Sequence, residues 1–219
     1  MTVDLRDLLA KGRGVAATAR VLRLDGLEAP ALNEPWSLDA MRGRLVELSA
    51  AGDAATLTLA IELVLAAQRL AEPAAWVTLP ETVFYPQDMV ESGVDLAALL
   101  VVRANDPVIA VRSAERLLRS GGFSLVVLDF GGIRDATISM ANLGRLVTLA
   151  QTHEAAAVCI TRKSSDELSL GSLVSLRVEA LRLCGPAHDH DIALRALKDK
   201  QRGPGWTHRF KRGGGSGGF

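Results

Sequence analysis

The chain has 219 residues, of which 48% are hydrophobic and 23% charged, a composition typical of one globular body with a real core. Its 25 basic and 25 acidic side chains balance, which excludes a protein that binds nucleic acid through overall charge alone. Cys159 and Cys184 are too few and too isolated for a disulfide framework, and we expect Cys159 in the core. Charged residues run through the N-terminal stretch, and no apolar segment has the length of a membrane span, so we expect a cytoplasmic protein.

The first 35 residues are predicted to form a helical arm and a connector. Apolar residues over 3–24 partly fit helical spacing but are interrupted by Gly12 and Gly14, which predicts one or two short helices. Pro30 and Pro35 mark the connector that leads to the first core strand. These apolar side chains must be buried somewhere, either against the body of this chain or against another protein.

Strands and helices are predicted to alternate from residue 43 onward. Short runs rich in valine, leucine and isoleucine have the pattern of strands buried on both faces: 44–48, 75–79, 98–102, 125–130 and 156–161. The segments between them are predicted to be helical: 57–71, 89–92, 108–120 and 138–152. Repeated strand-helix-strand units predict an α/β fold with a mostly parallel central sheet flanked by helices.

The pattern changes after residue 161. Residues 172–183 and 192–198 alternate apolar and polar side chains and are joined by the sequence GPAHDHD, so we predict an antiparallel hairpin at the sheet edge. The histidines and aspartates of this turn can ligate metals, but they diverge along a turn without a further cluster, and we predict no metal site. Residues 201–219 are predicted to form a basic, glycine-rich C-terminal tail.

The loop after the first predicted strand has the outline of a phosphate-binding loop without its chemistry. In the pattern G-x-x-x-x-G-K-[ST], the glycines let the backbone wrap the phosphates, the lysine neutralises charge and the hydroxyl holds magnesium. Here these four positions are occupied by Ala50, Ala55, Thr56 and Leu57. Since none of the four has the required chemistry, the sequence predicts a degenerate nucleotide loop and no ATP hydrolysis.

Over residues 36–200 the chain resembles the core of the RecA-type recombinases. The matching pieces follow one another in the same order: SLDAMRGRLVEL, the loop, LTLAIELVLAAQ, AAWVTLPE, GVDLAALLVV, a helix ending in LLRSGG, and FSLVVLDF. The resemblance implies a RecA-like core of the P-loop type between the N-terminal arm (1–35) and the C-terminal tail (201–219).

The resemblance also assigns former roles to two acidic residues. Glu81 corresponds to the carboxylate that activates the attacking water in an active RecA-type ATPase, and Asp129 corresponds to the acid that helps to bind magnesium. Both are predicted to be vestigial, because neither role has a use without a held triphosphate. The family's nucleotide-sensing glutamine falls on Arg162, and its two DNA-binding loops are reduced to GGIRDATIS and KSSDELSLGS.

A RecA-like body without a phosphate-binding loop, with shortened DNA loops and a basic end, is similar to the ImuA family of bacterial damage-induced mutagenesis. The resemblance implies a non-catalytic adaptor without a cofactor, in the cytoplasm and near the nucleoid. It implies contacts with ImuB, an inactive Y-family polymerase homologue, with RecA, and indirectly with an error-prone replicative-type polymerase. Two alternatives stay open: a SulA-like division inhibitor that binds FtsZ, and a weak DNA-dependent ATPase.

Two further sets of residues are candidates for contacts with partners. The basic and aromatic C-terminal residues suit single-stranded DNA or an anchor in a partner protein, with a solvated tail as the remaining alternative: Lys198, Lys200, Arg202, Trp206, Arg209, Phe210, Lys211 and Arg212. RecA-type proteins polymerise by passing an N-terminal element to a neighbour, and the arm of this chain lies where that element would be. The resemblance therefore implies self-association, or contact with RecA, through Leu5, Leu8 and Leu9.

Overall fold

A computed structural model describes residues 34–51, 55–82, 84–184 and 190–210. The predicted N-terminal arm with Leu5, Leu8 and Leu9 lies outside the described residues, as do Lys211, Arg212 and most of the predicted hairpin turn. What the sequence predicts for those segments stays a prediction.

Strands and helices alternate along the described chain. Helix α1 (Leu38–Met41) leads into β1 (Leu45–Ser49), α2 (Thr56–Arg69) and β2 (Ala74–Thr78). Next come α3 (Pro86–Glu91), a 3₁₀ helix (Leu96–Ala98), β3 (Leu99–Arg103), α4 (Pro107–Arg119) and β4 (Leu125–Phe130). The chain continues through α5 (Met140–Thr152), β5 (Ala156–Thr161), β6 (Leu176–Cys184), β7 (His190–Asp199) and β8 (Thr207–Phe210).

These strands form one sheet in the order β3-β2-β4-β5-β1-β6-β7-β8. Neighbouring strands from β3 to β6 run parallel, with pairs such as Leu45 with Ala157 and Val46 with Leu176. The last three strands, β6, β7 and β8, pair antiparallel. The predicted α/β fold, with a mostly parallel central sheet flanked by helices and antiparallel C-terminal strands, is confirmed.

Helices cover both faces of the sheet, which explains why the central strands are apolar on both sides. Every residue of β1, β2, β4 and β5 is buried, and so is Cys159 within β5, as expected. One face packs against α2 and includes Trp36 and Trp76. The other face packs against α4 and α5 and includes Leu118 and Leu143. Each such apolar side chain stabilises the fold by about 1.5–3 kcal/mol through burial.

Two of the three long helices begin at side-chain caps. Asp106 accepts a hydrogen bond from Ile109 N at 2.8 Å at the start of α4, and Ser139 accepts one from Asn142 N at 3.3 Å at the start of α5. Helix α2 begins after Ala55, which has no side-chain cap. The uncapped start is the one that follows the degenerate loop.

The elements differ from prediction at a few places. Helix α3 begins at Pro86, earlier than the predicted segment 89–92, because proline fits the first turn of a helix, where no N–H is needed. Residues 207–210, which the sequence assigned to a tail, form β8 and pair with β7, Phe210 opposite Ile192. The sheet therefore continues beyond the boundary predicted at residue 200.

Candidate functional site

The parallel strands β1 to β5 place their carboxyl ends at one edge of the sheet, called the carboxyl edge below. Open α/β sheets bind their ligands at this edge, in the loops that follow the strands. The described parts of the loops that meet here are 50–51 with 55, 79–82 with 84–85, 104–106, 131–139 and 162–175. Most of the residues that the RecA resemblance singles out lie at this edge.

The degenerate loop joins β1 to α2 at the carboxyl edge. Ala50 and Ala55, at the two glycine positions, are buried, and the Ala50 N–H donates to Thr161 O at 3.3 Å. Thr56 takes the lysine position as the first residue of α2, and Leu57 takes the hydroxyl position with 42% of its surface exposed. The order of strand, loop and helix is therefore kept. Methyl groups stand at the glycine positions, a threonine at the lysine position and a leucine at the hydroxyl position, so the groups that bind phosphate are replaced.

A small cavity lies where Leu57 of α2 approaches Asp129 of β4. Its volume is about 40 Å³, and the rest of its lining is mostly apolar and aromatic: Ile61, Trp76, Phe84, Tyr85, Asp88 and Met89. Pockets for cofactors and drug-sized ligands occupy about 300–1,000 Å³. The space directly beside Asp129 is therefore small and mostly apolar, which is a poor setting for a magnesium ion.

Asp129 is 3% exposed at the end of β4. Burial raises the pKa of its carboxyl, and a hydrogen bond from Gly131 N at 2.9 Å offsets part of that rise. The buried indole Nε1 of Trp76 lies on the same cavity but has no hydrogen-bond partner of normal geometry. A carboxyl held in this way is a poor metal ligand, since burial disfavours its charged form.

Glu81 lies on the neighbouring turn, after β2, and its side chain is exposed. The backbone of this turn packs against Gly132, where an added Cβ would lie 2.0 Å from Glu81 O. Gly132 is therefore required for the close approach of the turns that follow β2 and β4. The structure brings the strand ends of Glu81 and Asp129 side by side, and their former catalytic roles stay predictions.

The segment 162–175, in the place of the second DNA loop, is fixed by charged side chains of neighbouring strands. Glu47 of β1 is fully buried and accepts hydrogen bonds from Ser169 Oγ and Leu170 N. Arg177 of β6 is also buried and donates to the carbonyl groups of Ser164 and Glu167. Sequence analysis missed Glu47 and Arg177, although a charged residue inside an apolar strand pattern is the available signal.

Large apolar side chains are exposed along the carboxyl edge. They follow the ends of five different strands: Leu57, Tyr85, Val108, Ile109, Met140 and Leu168. Exposed apolar surface that gathers in one region of a soluble protein marks an interaction site. The edge that holds the nucleotide in an active P-loop protein is here a candidate surface for contact with another protein.

Asp199 is the centre of a buried polar cluster at the C-terminal end of β7. It accepts hydrogen bonds from Arg44 Nη2 at 2.7 Å and from Trp206 Nε1 at 3.0 Å, and its side chain is 1% exposed. Burial acts to raise the pKa of Asp199, but hydrogen bonds from Gln201 N, Trp206 and Arg44, together with the Arg44 charge, outweigh burial and lower it. This cluster joins the segment before β8 to the start of β1.

The basic and aromatic C-terminal residues are thus divided between the core and the surface. Lys198 Nζ donates to the carbonyl groups of Gly171 and Ser172, and Phe210 packs against the core beside the ring of His208. The side chains of Lys200, Arg202 and Arg209 are exposed. The structure does not bring the predicted set together on one surface, and its role in binding stays a prediction.

Searches for similar proteins found no family model and no curated sequence that matches this chain. No helix in the part of the chain that the structure describes is both long and apolar enough to cross a membrane. Within residues 34–51, 55–82, 84–184 and 190–210, no group of three or more His, Cys, Asp or Glu side chains is placed to hold a metal ion. Function is therefore inferred from the residues at the carboxyl edge and on β8.

Proposed function

We propose that this protein is a RecA-like, non-catalytic adaptor of the ImuA type, which acts in damage-induced mutagenesis by contacting other proteins. One observation carries the proposal: Ala50, Ala55, Thr56 and Leu57 occupy the four phosphate-binding positions, and the space directly beside Asp129 is a mostly apolar cavity of about 40 Å³. The order strand, degenerate loop and helix, and the positions of Glu81 and Asp129 on adjacent strand ends, support a RecA-like core.

The segment 162–175 supports protein contacts over DNA contacts at the carboxyl edge. Asp166 and Glu167 are exposed there, and hydrogen bonds from Ser164 hold the pKa of Glu167 below its usual value. Their negative charges oppose phosphate binding. Because Arg162 and Lys163 balance these two charges, it is the short length and fixed conformation of the segment that make it unsuited to line a DNA channel.

Arg209 on β8 is the best remaining candidate among the predicted C-terminal contact residues. Its side chain is exposed, whereas Trp206 uses its indole N–H to hold Asp199 and Phe210 packs on the core. Arginine is a frequent anchor in protein interfaces. The proposed partners are ImuB and RecA, with the error-prone replicative-type polymerase reached through ImuB.

The proposal is tested by measuring binding of the purified chain to ImuB and to RecA in the absence of nucleotide. We expect binding to at least one of them, and Arg209→Glu is expected to weaken it by roughly tenfold, since interface anchors contribute that much or more. Arg119→Glu, at an exposed position in the last turn of α4, is the matched control and should bind normally.

Three other outcomes would replace the proposal with an alternative. Binding to FtsZ, without binding to ImuB or RecA, would favour a SulA-like division inhibitor. Binding to single-stranded DNA that Arg209→Glu abolishes would assign β8 to nucleic acid. ATP hydrolysis that rises with DNA would favour a recombinase paralogue.

A further inference from the structure

The segment 164–171, called the knob below, is held in one conformation by charged side chains from the sheet. Glu47 accepts a hydrogen bond from Leu170 N at 2.9 Å, and Arg177 donates to Ser164 O at 2.7 Å. Both charged residues are buried, so these hydrogen bonds form away from water, where they are strong. The knob is therefore fixed to β1 and β6.

Leu168 lies in the knob with 88% of its surface exposed, more than any other large apolar side chain that the structure describes. Lys163 Nζ donates to Leu168 O at 3.2 Å, so the leucine backbone is fixed while its side chain faces solvent. A single exposed leucine is ordinary on a protein surface. One that is held rigidly loses little entropy on binding and is preorganised for an apolar pocket.

A pocket of mixed polarity, with apolar, hydroxyl and basic side chains in its lining, lies farther along the same carboxyl edge. It occupies about 410 Å³ between the segments that follow β2 and β3, and Leu79, Pro80 and Phe84 contribute to its walls. Arg103, the last residue of β3, also lines it and is exposed. The pocket thus combines an apolar wall with one positive charge.

The knob and the pocket cannot meet within one chain. The pocket follows β2, the knob is anchored to β1, and β4 and β5 lie between these strands, a separation of about 15 Å at ~4.8 Å per strand. Because both lie on the carboxyl edge, a two-fold axis normal to the sheet between them would set each knob against the pocket of a second copy. Contacts of this kind are self-complementary and close as a dimer.

We propose that two copies of this chain form a symmetric dimer through their carboxyl edges, with Leu168 of each copy in the pocket beside Arg103 of the other. Asp166 and Glu167 immediately precede the leucine and complement Arg103 in charge. The larger groove, about 590 Å³ at the opposite edge, is lined by Asp95 and by Glu72, which is paired with Arg42. The Arg103 pocket therefore offers the acidic residues of the knob a complementary charge.

Exposed apolar residues between the knob and the pocket fit the same arrangement. Met140 starts the helix that follows β4, near the middle of the edge, and Leu57 lies in the first turn of the helix that follows β1, on the side of the knob. In the dimer Met140 would lie near the two-fold axis and lose contact with water. The dimer would occupy the carboxyl edge, whereas the binding test with ImuB and RecA acts through Arg209 on β8 at the end of the sheet, so the two proposals can fail separately.

The dimer is tested by sedimentation equilibrium of the full chain over a range of concentrations. We expect a reversible monomer-dimer equilibrium, and Leu168→Asp is expected to raise its dissociation constant at least tenfold, roughly the effect of removing one interface anchor. Leu70→Asp is the matched control, because Leu70 is an exposed leucine at the opposite edge of the sheet. It should leave the dimer unchanged.

A charge exchange tests the pairing directly. Asp166→Arg and Arg103→Asp should each weaken the dimer, and the two changes combined in one chain should restore it. All of these side chains are exposed, and equal melting temperatures of the monomers would verify that each variant folds. A chain that stays monomeric up to about 100 µM, or a dimer that Leu168→Asp leaves intact, would overturn the proposal.

Discussion

At the scale of single residues, Asp199 is the residue whose contacts are most costly to lose. Asp199→Asn is expected to lower the free energy of unfolding by about 3–5 kcal/mol, because it leaves Arg44 buried without its counter-charge. The substitution also weakens the hydrogen bond that Asp199 accepts from Trp206 Nε1, which links β7 to the start of β8. Urea unfolding at neutral pH, followed by tryptophan fluorescence, measures the change.

The matched control for Asp199→Asn is Glu62→Gln, at an exposed carboxylate of α2 away from the proposed contacts. Surface changes of this kind stay within about 0.5 kcal/mol. If Asp199→Asn cost no more than the control, Asp199 and Arg44 would not form the pair that we describe.

The pair of Asp199 and Arg44 also predicts how the free energy of unfolding depends on pH. Because the pKa of Asp199 is lowered in the folded state, its contribution to stability is full above the unfolded value of about 3.9 and is lost as pH falls through the folded value. The unfolding free energy of the wild type should therefore fall more steeply below about pH 4 than that of Asp199→Asn. Parallel slopes for the two proteins would contradict the direction of the shift.

At the scale of elements, the knob is predicted to depend on Glu47. One carboxylate oxygen of Glu47 accepts from Thr161 Oγ1 and the other accepts from Leu170 N. Glu47→Gln replaces one of these oxygens by an NH₂ group, which cannot accept, so one of the two hydrogen bonds is lost. We expect hydrogen exchange of the knob amides to become roughly tenfold faster or more, since local opening becomes easier. Hydrogen-deuterium exchange with peptide mapping measures this.

A second carboxylate in a strand provides the control for Glu47. Glu179 of β6 pairs with Arg195 of β7, away from the hydrogen bonds that fix the knob, so Glu179→Gln should leave knob exchange unchanged. Unchanged exchange in Glu47→Gln as well would show that the knob is held by other contacts, and would weaken the case that it is preorganised.

The elements that the sequence predicts best are those with a strong local pattern. Strands β4 and β5 have the predicted bounds, because each is a continuous apolar run buried on both faces. Strand β8 was missed, because its four residues are mostly polar and its placement depends on pairing with β7 and on the contact of Trp206 with Asp199. The fixed segment after β5 was missed because Glu47 and Leu170 are distant in sequence.

At the scale of the whole molecule, only part of the candidate site can be predicted from the sequence. The degenerate positions, Ala50 to Leu57, are visible in one short stretch, because a phosphate-binding loop is a local motif. The apolar carboxyl edge is assembled from segments as distant as Leu57, Met140 and Leu168, and only the strand order brings them to one side. The cavity between Leu57 and Asp129 likewise requires α2 to pack beside β4.

The measurement that tests the central claim most directly is titration of the chain with magnesium ATP by calorimetry, with hydrolysis followed with and without single-stranded DNA. The replaced phosphate-binding positions, Ala50, Ala55, Thr56 and Leu57, predict no saturable heat up to about 1 mM nucleotide and no turnover. An active RecA-type ATPase in the same buffer serves as the positive control. Saturable binding in the micromolar range, or hydrolysis that rises with DNA, would contradict the loss of the nucleotide site and favour a DNA-dependent ATPase.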